Sequence, residues 1–128
     1  MTKPLPLDRF PLHLGLGARA VPQPEFTGME WYEAYVARNG DEARLVSLFS
    51  FSESWTRWEQ HPAGDEAVIC TAGEITLIQE LPDGPRKITL RPGEYAVNPP
   101  GVWHTADVAD HATAVFITAG RGTEHRPR

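Results

Sequence analysis

The sequence predicts an all-β fold, an antiparallel sandwich or barrel that carries one short helix. Its 12 prolines and 11 glycines are spread along 128 residues as turn signals rather than gathered in one tract. Short apolar or alternating segments recur roughly every ten residues between those turns, which is typical of β-sandwiches and barrels. Only one segment has helical spacing. The length corresponds to a single domain.

The first 28 residues form a segment rich in proline and glycine. Leu12, Leu14 and Leu16 alternate there with polar residues or glycine. This alternation is compatible with a short edge strand, and the composition is equally compatible with an arm packed on the domain surface.

The single helix is predicted at Met29–Arg38. Its aromatic and apolar residues follow helical spacing, and Asn39-Gly40 is a stop signal. The helix residues that carry this pattern are Trp31, Tyr32, Tyr35 and Val36.

From residue 45 onward the pattern predicts strands. Pro82-Asp83-Gly84-Pro85 predicts the turn of a hairpin, since proline presets φ and glycine supplies a positive φ. The predicted strands are Leu45–Ser52, Trp55–Gln60, Ala67–Thr71, Ile75–Glu80, Lys87–Leu90, Tyr95–Asn98, Trp103–Val108 and Thr113–Thr118.

The predicted organisation has three parts. Residues 1–44 are an N-terminal arm and short helix packed on a barrel, residues 45–118 are the barrel, and residues 119–128 are a polar C-terminal tail. A mobile tail is the favoured interpretation of the last part.

Composition disfavours several classes of function. Acidic residues outnumber basic ones 17 to 12 and no basic stripe is visible, which argues against nucleic-acid binding. The one cysteine, Cys70, excludes an internal disulfide and a CxxC site, and it is predicted to be a buried small hydrophobe. No apolar run is long enough to span a membrane, and residues 1–7 do not resemble a secretory signal. A cytoplasmic location is therefore expected.

Four ionisable residues lie at the ends of predicted strands. Because side chains alternate, Glu59 and His61 share one strand face, Glu66 begins a second apolar face, and His104 begins a third. Antiparallel neighbours bring one strand's end beside the next strand's start, so we expect these residues to converge at one mouth of the barrel. Imidazole and carboxylate together suit divalent iron, manganese, nickel, copper or zinc.

Each of these residues also has a structural interpretation. A single histidine near a strand start is more often a surface or satisfied core residue than a metal ligand, and the joint spacing is what favours metal. Glu59 is open to three roles: fourth ligand, a group that holds an imidazole in its metal-binding tautomer, or general base. The remaining histidines, His13, His111 and His125, lack ligand spacing.

Further residues near the expected mouth are candidates for a substrate pocket. Trp55 would contribute an aromatic wall, and Arg57 would pair with a substrate carboxylate or, as the preferred alternative, with Glu59 or a nearby acid. By strand parity Trp58 and Trp103 point away from the metal face.

Two motifs in this order resemble those of the cupin superfamily, and the likeness spans about residues 45–118. The first cupin motif is G(X)5HXH(X)3–4E(X)6G. His61, Glu66 and Gly73 stand at its later fixed positions. Glu59 stands where the motif has its first histidine, and Glu53 where it opens with glycine.

The second cupin motif is G(X)5PXG(X)2H(X)3N. Gly93, Pro99, Gly101 and His104 occupy every fixed position up to the histidine. Val108 replaces the final asparagine.

The resemblance implies a double-stranded β-helix, or jelly-roll, barrel. Carried over residue by residue, it assigns His61, Glu66 and His104 as metal ligands and puts a different ligand type, Glu59, at the fourth ligand position. It also implies a small-molecule ligand and a homodimer.

Two functional hypotheses follow from that assignment. The first is a metal-dependent small-molecule enzyme of dioxygenase or isomerase type, with Glu59 as a candidate catalytic base. The second is a non-catalytic cupin that binds or senses a metabolite.

Overall fold

The computed structural model describes residues 3–128, which form two antiparallel β-sheets and one α-helix. The helix α1 is Met29–Asn39 and is followed by a 3₁₀ turn at Gly40–Glu42. The strands are β1 Leu12–Gly15, β2 Arg19–Pro22, β3 Arg44–Phe51, β4 Arg57–Gln60, β5 Glu66–Gly73, β6 Ile75–Leu81, β7 Gly84–Leu90, β8 Tyr95–Asn98, β9 His104–Asp107, β10 Ala112–Ala119 and β11 Glu124–Pro127.

One sheet has six strands in the order β2-β1-β3-β10-β5-β8, and the other has five in the order β11-β4-β9-β6-β7. Strand alternation explains how the core forms between them. Along β10, Ala112, Ala114 and Phe116 are buried while the residues between them are only partly buried. They pack with apolar residues of both sheets, including Val68 and Leu77. The prediction of an all-β fold is confirmed, and its eight strands correspond to β3–β10.

The N-terminal segment joins the six-stranded sheet. β1 pairs with β3 through Leu12 opposite Val46, so the strand interpretation of this segment is correct. It is not an edge strand, however, because β2 pairs along its other side. Alternation over a few residues cannot reveal whether a further strand follows.

The helix prediction is confirmed to within one residue at its C-terminus. α1 ends before Gly40, whose φ of 54° lies in the left-handed region that favours glycine. Tyr35 is fully buried against Ala43 and Leu45, where β3 begins. This contact fixes α1 beside one end of the six-stranded sheet.

The predicted hairpin is β6–β7. Leu81 pairs with Gly84 across the two-residue turn Pro82-Asp83. Cys70 is completely buried in the main core, as expected for a small hydrophobe.

The C-terminal segment corrects the sequence prediction. Residues 119–128 were expected to be a polar tail, but β11 pairs along β4 with His125 opposite Glu59. The main-chain N–H of Arg128 donates to the carbonyl of Thr56, which closes this end of the sheet. The expectation of a mobile tail is therefore wrong, because a polar strand that completes a sheet edge has no apolar alternation to mark it.

No helix in the described part of the chain is long and apolar enough to cross a bilayer.

Candidate metal centre and cavity

Three strands of the two sheets deliver the four predicted site residues to one place. β4 carries Glu59 near its end and is followed directly by His61, β5 begins with Glu66, and β9 begins with His104. Glu59 and His104 are direct cross-strand partners. The expected convergence of these side chains is therefore what the structure has.

The two imidazoles face the carboxylates through their Nε2 atoms. His61 Nε2 lies 3.2 Å from Glu66 Oε2 and 3.5 Å from Glu59 Oε2. His104 Nε2 lies 3.2 Å from Glu66 Oε1. One donor atom from each of Glu59, His61 and His104 falls within 4.8 Å of the others, a spacing that can hold a metal ion.

Both Nε2 atoms are buried and unpaired. His61 is 4% exposed and His104 is 1% exposed. Among the described residues neither Nε2 has a hydrogen bond of acceptable geometry, although Glu66 is near both. Buried polar atoms without partners are costly. Two buried imidazole nitrogens with Glu59 at metal-binding distance and Glu66 beside them fit a divalent transition metal, whose bonds would satisfy the nitrogens.

Glu66 is the most constrained of the four residues. The amide Nδ2 of Asn98 donates to its Oε1 at 3.0 Å, and the hydroxyl of Thr118 donates to its Oε2 at 2.6 Å. Gln79 in turn donates to Asn98 Oδ1 at 2.9 Å. These contacts fix the orientation of the carboxylate before any ligand binds.

The surroundings of Glu59 and Glu66 shift the pKa values of the two carboxyl groups in opposite directions. Burial by itself would raise the pKa of Glu66, but the contacts with His104 and His61 outweigh it and hold that pKa far below the usual range. Burial raises the pKa of Glu59, and the nearby Glu66 charge raises it further. The pKa of Glu66 is therefore held low, whereas the pKa of Glu59 lies above its usual value.

The other ring nitrogen of each histidine has its own partner. His61 Nδ1 lies 2.8 Å from the Thr123 hydroxyl, and His104 Nδ1 lies 3.2 Å from the Val102 carbonyl. Burial opposes protonation of His61, yet the close approach and charge of Glu66 and the charge of Glu59 raise its pKa overall.

A cavity of about 400 Å³ opens beside three of the four residues, and His104 is not among those that line it. Six of its sixteen lining residues are aromatic, and they come from α1, β3, β10 and the segments just before α1 and β4. Glu59, His61 and Glu66 lie at its polar end, together with Thr118 and Thr123. The aromatic members are Phe26, Tyr32, Phe49, Phe51, Trp55 and Phe116.

The two predicted pocket residues, Trp55 and Arg57, both line this cavity. The indole of Trp55 lies with its ring centroid 6.4 Å from that of His104. The preferred pairing of Arg57 with Glu59 is not formed, because the ion-pair partners of Glu59 are His61 and His125. Strand pairing between β4 and β11 brings His125 opposite Glu59 instead.

Sequence reasoning missed most of the cavity lining, including two residues that contact the proposed metal site, His125 and Thr123. Both come from the segment that was expected to be a tail, and His125 Nε2 lies 3.9 Å from Glu59 Oε1. Thr123 immediately precedes β11 and His125 lies two residues later, so this spacing of two was the signal available in the sequence. Trp58 and Trp103 lie away from the cavity, as parity predicted, with Arg126 stacked over both rings.

The remaining two histidines lie outside the site. His111 is exposed beside Asp110. His13 is buried, and its Nδ1 is hydrogen-bonded to the Tyr35 hydroxyl.

Solved structures with the same fold include cupins. A cupin-2 domain protein from Shewanella frigidimarina gives a TM-score of 0.50 at 22% identity, over 66% of this chain and 71% of that one. A cupin superfamily protein from Desulfitobacterium hafniense gives 0.50 at 23% identity, over 59% and 65%. Hydroquinone 1,2-dioxygenase from Sphingomonas sp. TTNP3, solved with 4-hydroxybenzoate bound, gives 0.51 at 17% identity, over 59% and 58%.

No protein-family model and no curated protein matches the chain. The structural likenesses show the fold, and the predicted cupin jelly-roll barrel is confirmed.

Proposed function

We propose that this cupin-fold chain binds a divalent transition metal at His61, Glu66 and His104, with Glu59 as fourth ligand or as acid-base group, and acts there on a small apolar molecule. The observation that carries the proposal is the pair of buried, unpaired Nε2 atoms that face two carboxylates at the end of an aromatic cavity. A bound cation would give the two Nε2 atoms the partner that the described residues do not supply.

The charge of the donor set supports a dication. Two neutral imidazoles and two carboxylates carry a total charge of about −2, which a divalent ion neutralises. Mixed nitrogen and oxygen donors suit iron, manganese, nickel, copper and zinc better than calcium or magnesium, which prefer oxygen alone.

The chain's own residues have separate roles in the proposed chemistry. A metal in this position polarises a carbonyl or enolate oxygen, or activates dioxygen or water. The aromatic wall binds the apolar body of the substrate and excludes water. In the alternative where Glu59 is not a ligand, it acts as the acid-base group that accepts a proton from the substrate or returns it, while Arg57 at the wall pairs with an acidic substituent.

The cavity's composition favours aromatic or phenolic substrates over polar ones. Its aromatic side chains offer faces and edges against which a planar ring stacks. The fold relative that acts on hydroquinone supports including phenols among the first compounds tested, although its low identity makes the likeness one of fold. Dioxygenase-like and isomerase-like chemistry are both compatible with the site.

A second candidate function is a non-catalytic metabolite-binding or sensing module. Glu59, which stands where the cupin motif has a histidine, is only partly buried and pairs with His125 as well as His61. A ligand could then occupy the aromatic cavity without any metal-dependent reaction.

The deciding experiment is elemental analysis of the purified protein, compared with a His61→Ala, His104→Ala double variant. We expect about one equivalent of a transition metal in the wild type and loss of it in the double variant. His111→Ala is the matched control because this histidine is exposed and remote from the cavity, so its metal content should equal that of the wild type.

Two outcomes decide between the candidate functions. Metal that is present and lost in the double variant leads to oxygen-consumption assays with phenolic and keto-acid compounds. A wild type that takes up no divalent ion, even after incubation with each metal, contradicts the metal-dependent function and favours the binding module. A homodimer and a cytoplasmic location remain proposals that accompany either function.

A further inference from the structure

The turn before β11 contributes a series of hydrogen bonds that ends at the proposed metal site. His61 Nδ1 lies 2.8 Å from Thr123 Oγ1, and the Thr123 hydroxyl donates to the Gly120 carbonyl at 2.8 Å. A hydroxyl has only one hydrogen, and a carbonyl oxygen can only accept. Because the Thr123 hydroxyl donates its one hydrogen to the Gly120 carbonyl, its oxygen can only accept a hydrogen bond from His61. The proton of the neutral His61 ring therefore lies on Nδ1.

The opposite tautomer fits the geometry less well. It would place the ring proton on Nε2, which has no hydrogen bond of acceptable geometry even though Glu66 Oε2 is 3.2 Å away. It would also require the Thr123 hydroxyl to turn from Gly120 toward His61. The tautomer with Nδ1–H therefore satisfies more groups and leaves the Nε2 lone pair facing the carboxylates.

The turn that holds Thr123 is itself fixed from several sides. The Gly120 N–H donates to the Ala43 carbonyl at 3.2 Å. A Cβ at Gly120 would overlap the hydroxyl of Tyr32. The backbone at this position can therefore lie so close to the Tyr32 ring only because glycine has no side chain. Immediately after the turn, Glu124 pairs with Gln60, the residue before His61. The acceptor for His61 is thus held by the sheet rather than by a loose terminus.

We infer that Thr123 is a positioning residue that fixes the tautomer and ring orientation of His61 and so presents its Nε2 lone pair to the metal. The equivalent partner of His104 is a main-chain carbonyl, that of Val102, which no side-chain substitution removes. Thr123 is therefore the one of these two partners that mutation can test directly. Of the two measurements that test this inference, only the metal affinity depends on the proposed function; the tautomer of His61 does not.

The first readout is the tautomer of His61 in the metal-free protein. Two-bond ¹H–¹⁵N correlation spectra distinguish a protonated from an unprotonated ring nitrogen, and the spectrum of His61→Gln assigns the signals among the five histidines. At a pH where the ring is neutral, we expect Nδ1–H in the wild type. Thr123→Val keeps the shape but removes the acceptor, and we expect the proton to move in part to Nε2. Thr123→Ser should retain the wild-type pattern.

The second readout is affinity for Zn²⁺, measured by competition with a chromophoric chelator. Loss of a partner behind a metal-binding histidine weakens metal binding by roughly 10–100-fold. We expect a loss of about that size for Thr123→Val, and an affinity within about threefold of the wild type for Thr123→Ser. Thr113→Val makes the same chemical change at a threonine bonded to Ser50, away from the cavity, and should change neither readout.

The outcomes separate this inference from the proposed function. A Thr123→Val protein that is folded and keeps His61 fully protonated on Nδ1 overturns the inference, whatever the metal does. A serine variant that behaves like the valine variant also overturns it, since the hydroxyl would then not be the acting group. Absence of Zn²⁺ binding by the wild type counts against the proposed function alone, and the tautomer readout still decides the role of Thr123.

Discussion

Glu59 is the residue at which this chain differs most from the cupin motif it otherwise follows. It stands in the position of the first motif histidine and lies within reach of His61 and His104. A carboxylate there makes the site more anionic than a third imidazole would. We therefore expect the site to favour cations and to disfavour anionic groups bound directly to the metal, relative to a three-histidine cupin.

Gly73 tests how strictly a single motif residue is required. Its φ is 68°, and a Cβ would overlap the carbonyl oxygen of His111. Gly93 has a φ of 89° but open space around it, so Gly93→Ala is the matched control. We expect Gly93→Ala to lower the free energy of unfolding by about 1 kcal/mol through backbone strain, and Gly73→Ala by about 2–4 kcal/mol because the overlap adds to it. Urea denaturation measures both, and equal losses would contradict the overlap argument.

Cys70 is predicted to be inert toward alkylation in the folded protein. It has no exposed surface, and burial raises the pKa of its thiol, which reduces the reactive thiolate. Because it is the sole cysteine of the sequence, mass spectrometry after iodoacetamide treatment gives an unambiguous readout. We expect labelling in urea and almost none in buffer. Rapid labelling of the native protein would show that the core around Cys70 opens readily.

At the scale of the elements, one face of β11 packs against the sheet and the other face lines the cavity. Its outward Arg126 stacks over Trp58 and Trp103, while His125 lines the cavity. β4 would otherwise be an edge of the five-stranded sheet, and β11 takes that edge instead. One strand therefore stabilises the sheet and completes the wall beside Glu59.

The end of β11 can be tested with two arginines that each pair with an aspartate. Arg128 binds Asp107 and also donates to the carbonyls of Trp55 and Ala106 at 3.1 and 3.2 Å. Arg121 pairs with Asp41 at the surface and serves as the control. We expect Arg128→Ala to lower the free energy of unfolding by about 1–2 kcal/mol, because several charge-assisted bonds are lost, and Arg121→Ala by less than about 0.5 kcal/mol. Similar losses in the two variants would indicate that Arg128 does not hold the strand.

At the scale of the whole molecule, the cavity exists because elements from both ends of the chain enclose one face of the barrel. Phe26 and Tyr32 come from α1 and the segment before it, and Thr123 and His125 come from the C-terminal segment. The barrel strands β3 and β10 supply further aromatic side chains to the wall of the cavity. Access to the site therefore depends on segments that lie outside the barrel motifs themselves.

Binding of a metal should stabilise the whole fold. A ligand that binds only the native state adds about 4 kcal/mol at a concentration of 1,000 times its Kd. For a domain of this size we expect the Tm to rise by roughly 10 °C or more with the cognate divalent ion, relative to EDTA. The His61→Ala, His104→Ala double variant should show no such rise. An equal rise in that variant would mean that the ions bind elsewhere.

The sequence by itself determined the strands of the barrel and the four residues of the candidate site. Side-chain alternation is a local property, so the faces of β4, β5 and β9 could be predicted from residues two apart. The motif spacing then placed Glu59, His61, Glu66 and His104 at strand ends that antiparallel pairing brings together. The helix was equally local, since its apolar spacing and its glycine stop lie within a dozen or so residues.

The tertiary structure alone decided what surrounds that site. Thr123 contacts His61 across 62 residues of sequence, and β11 pairs with a strand equally remote from it. No local pattern specifies such a pairing, because a short polar strand gains its stability from the edge it completes and not from its own composition. The same reason explains why Glu59 meets His125 instead of Arg57: the partner of a side chain at a sheet edge is set by which strand arrives there.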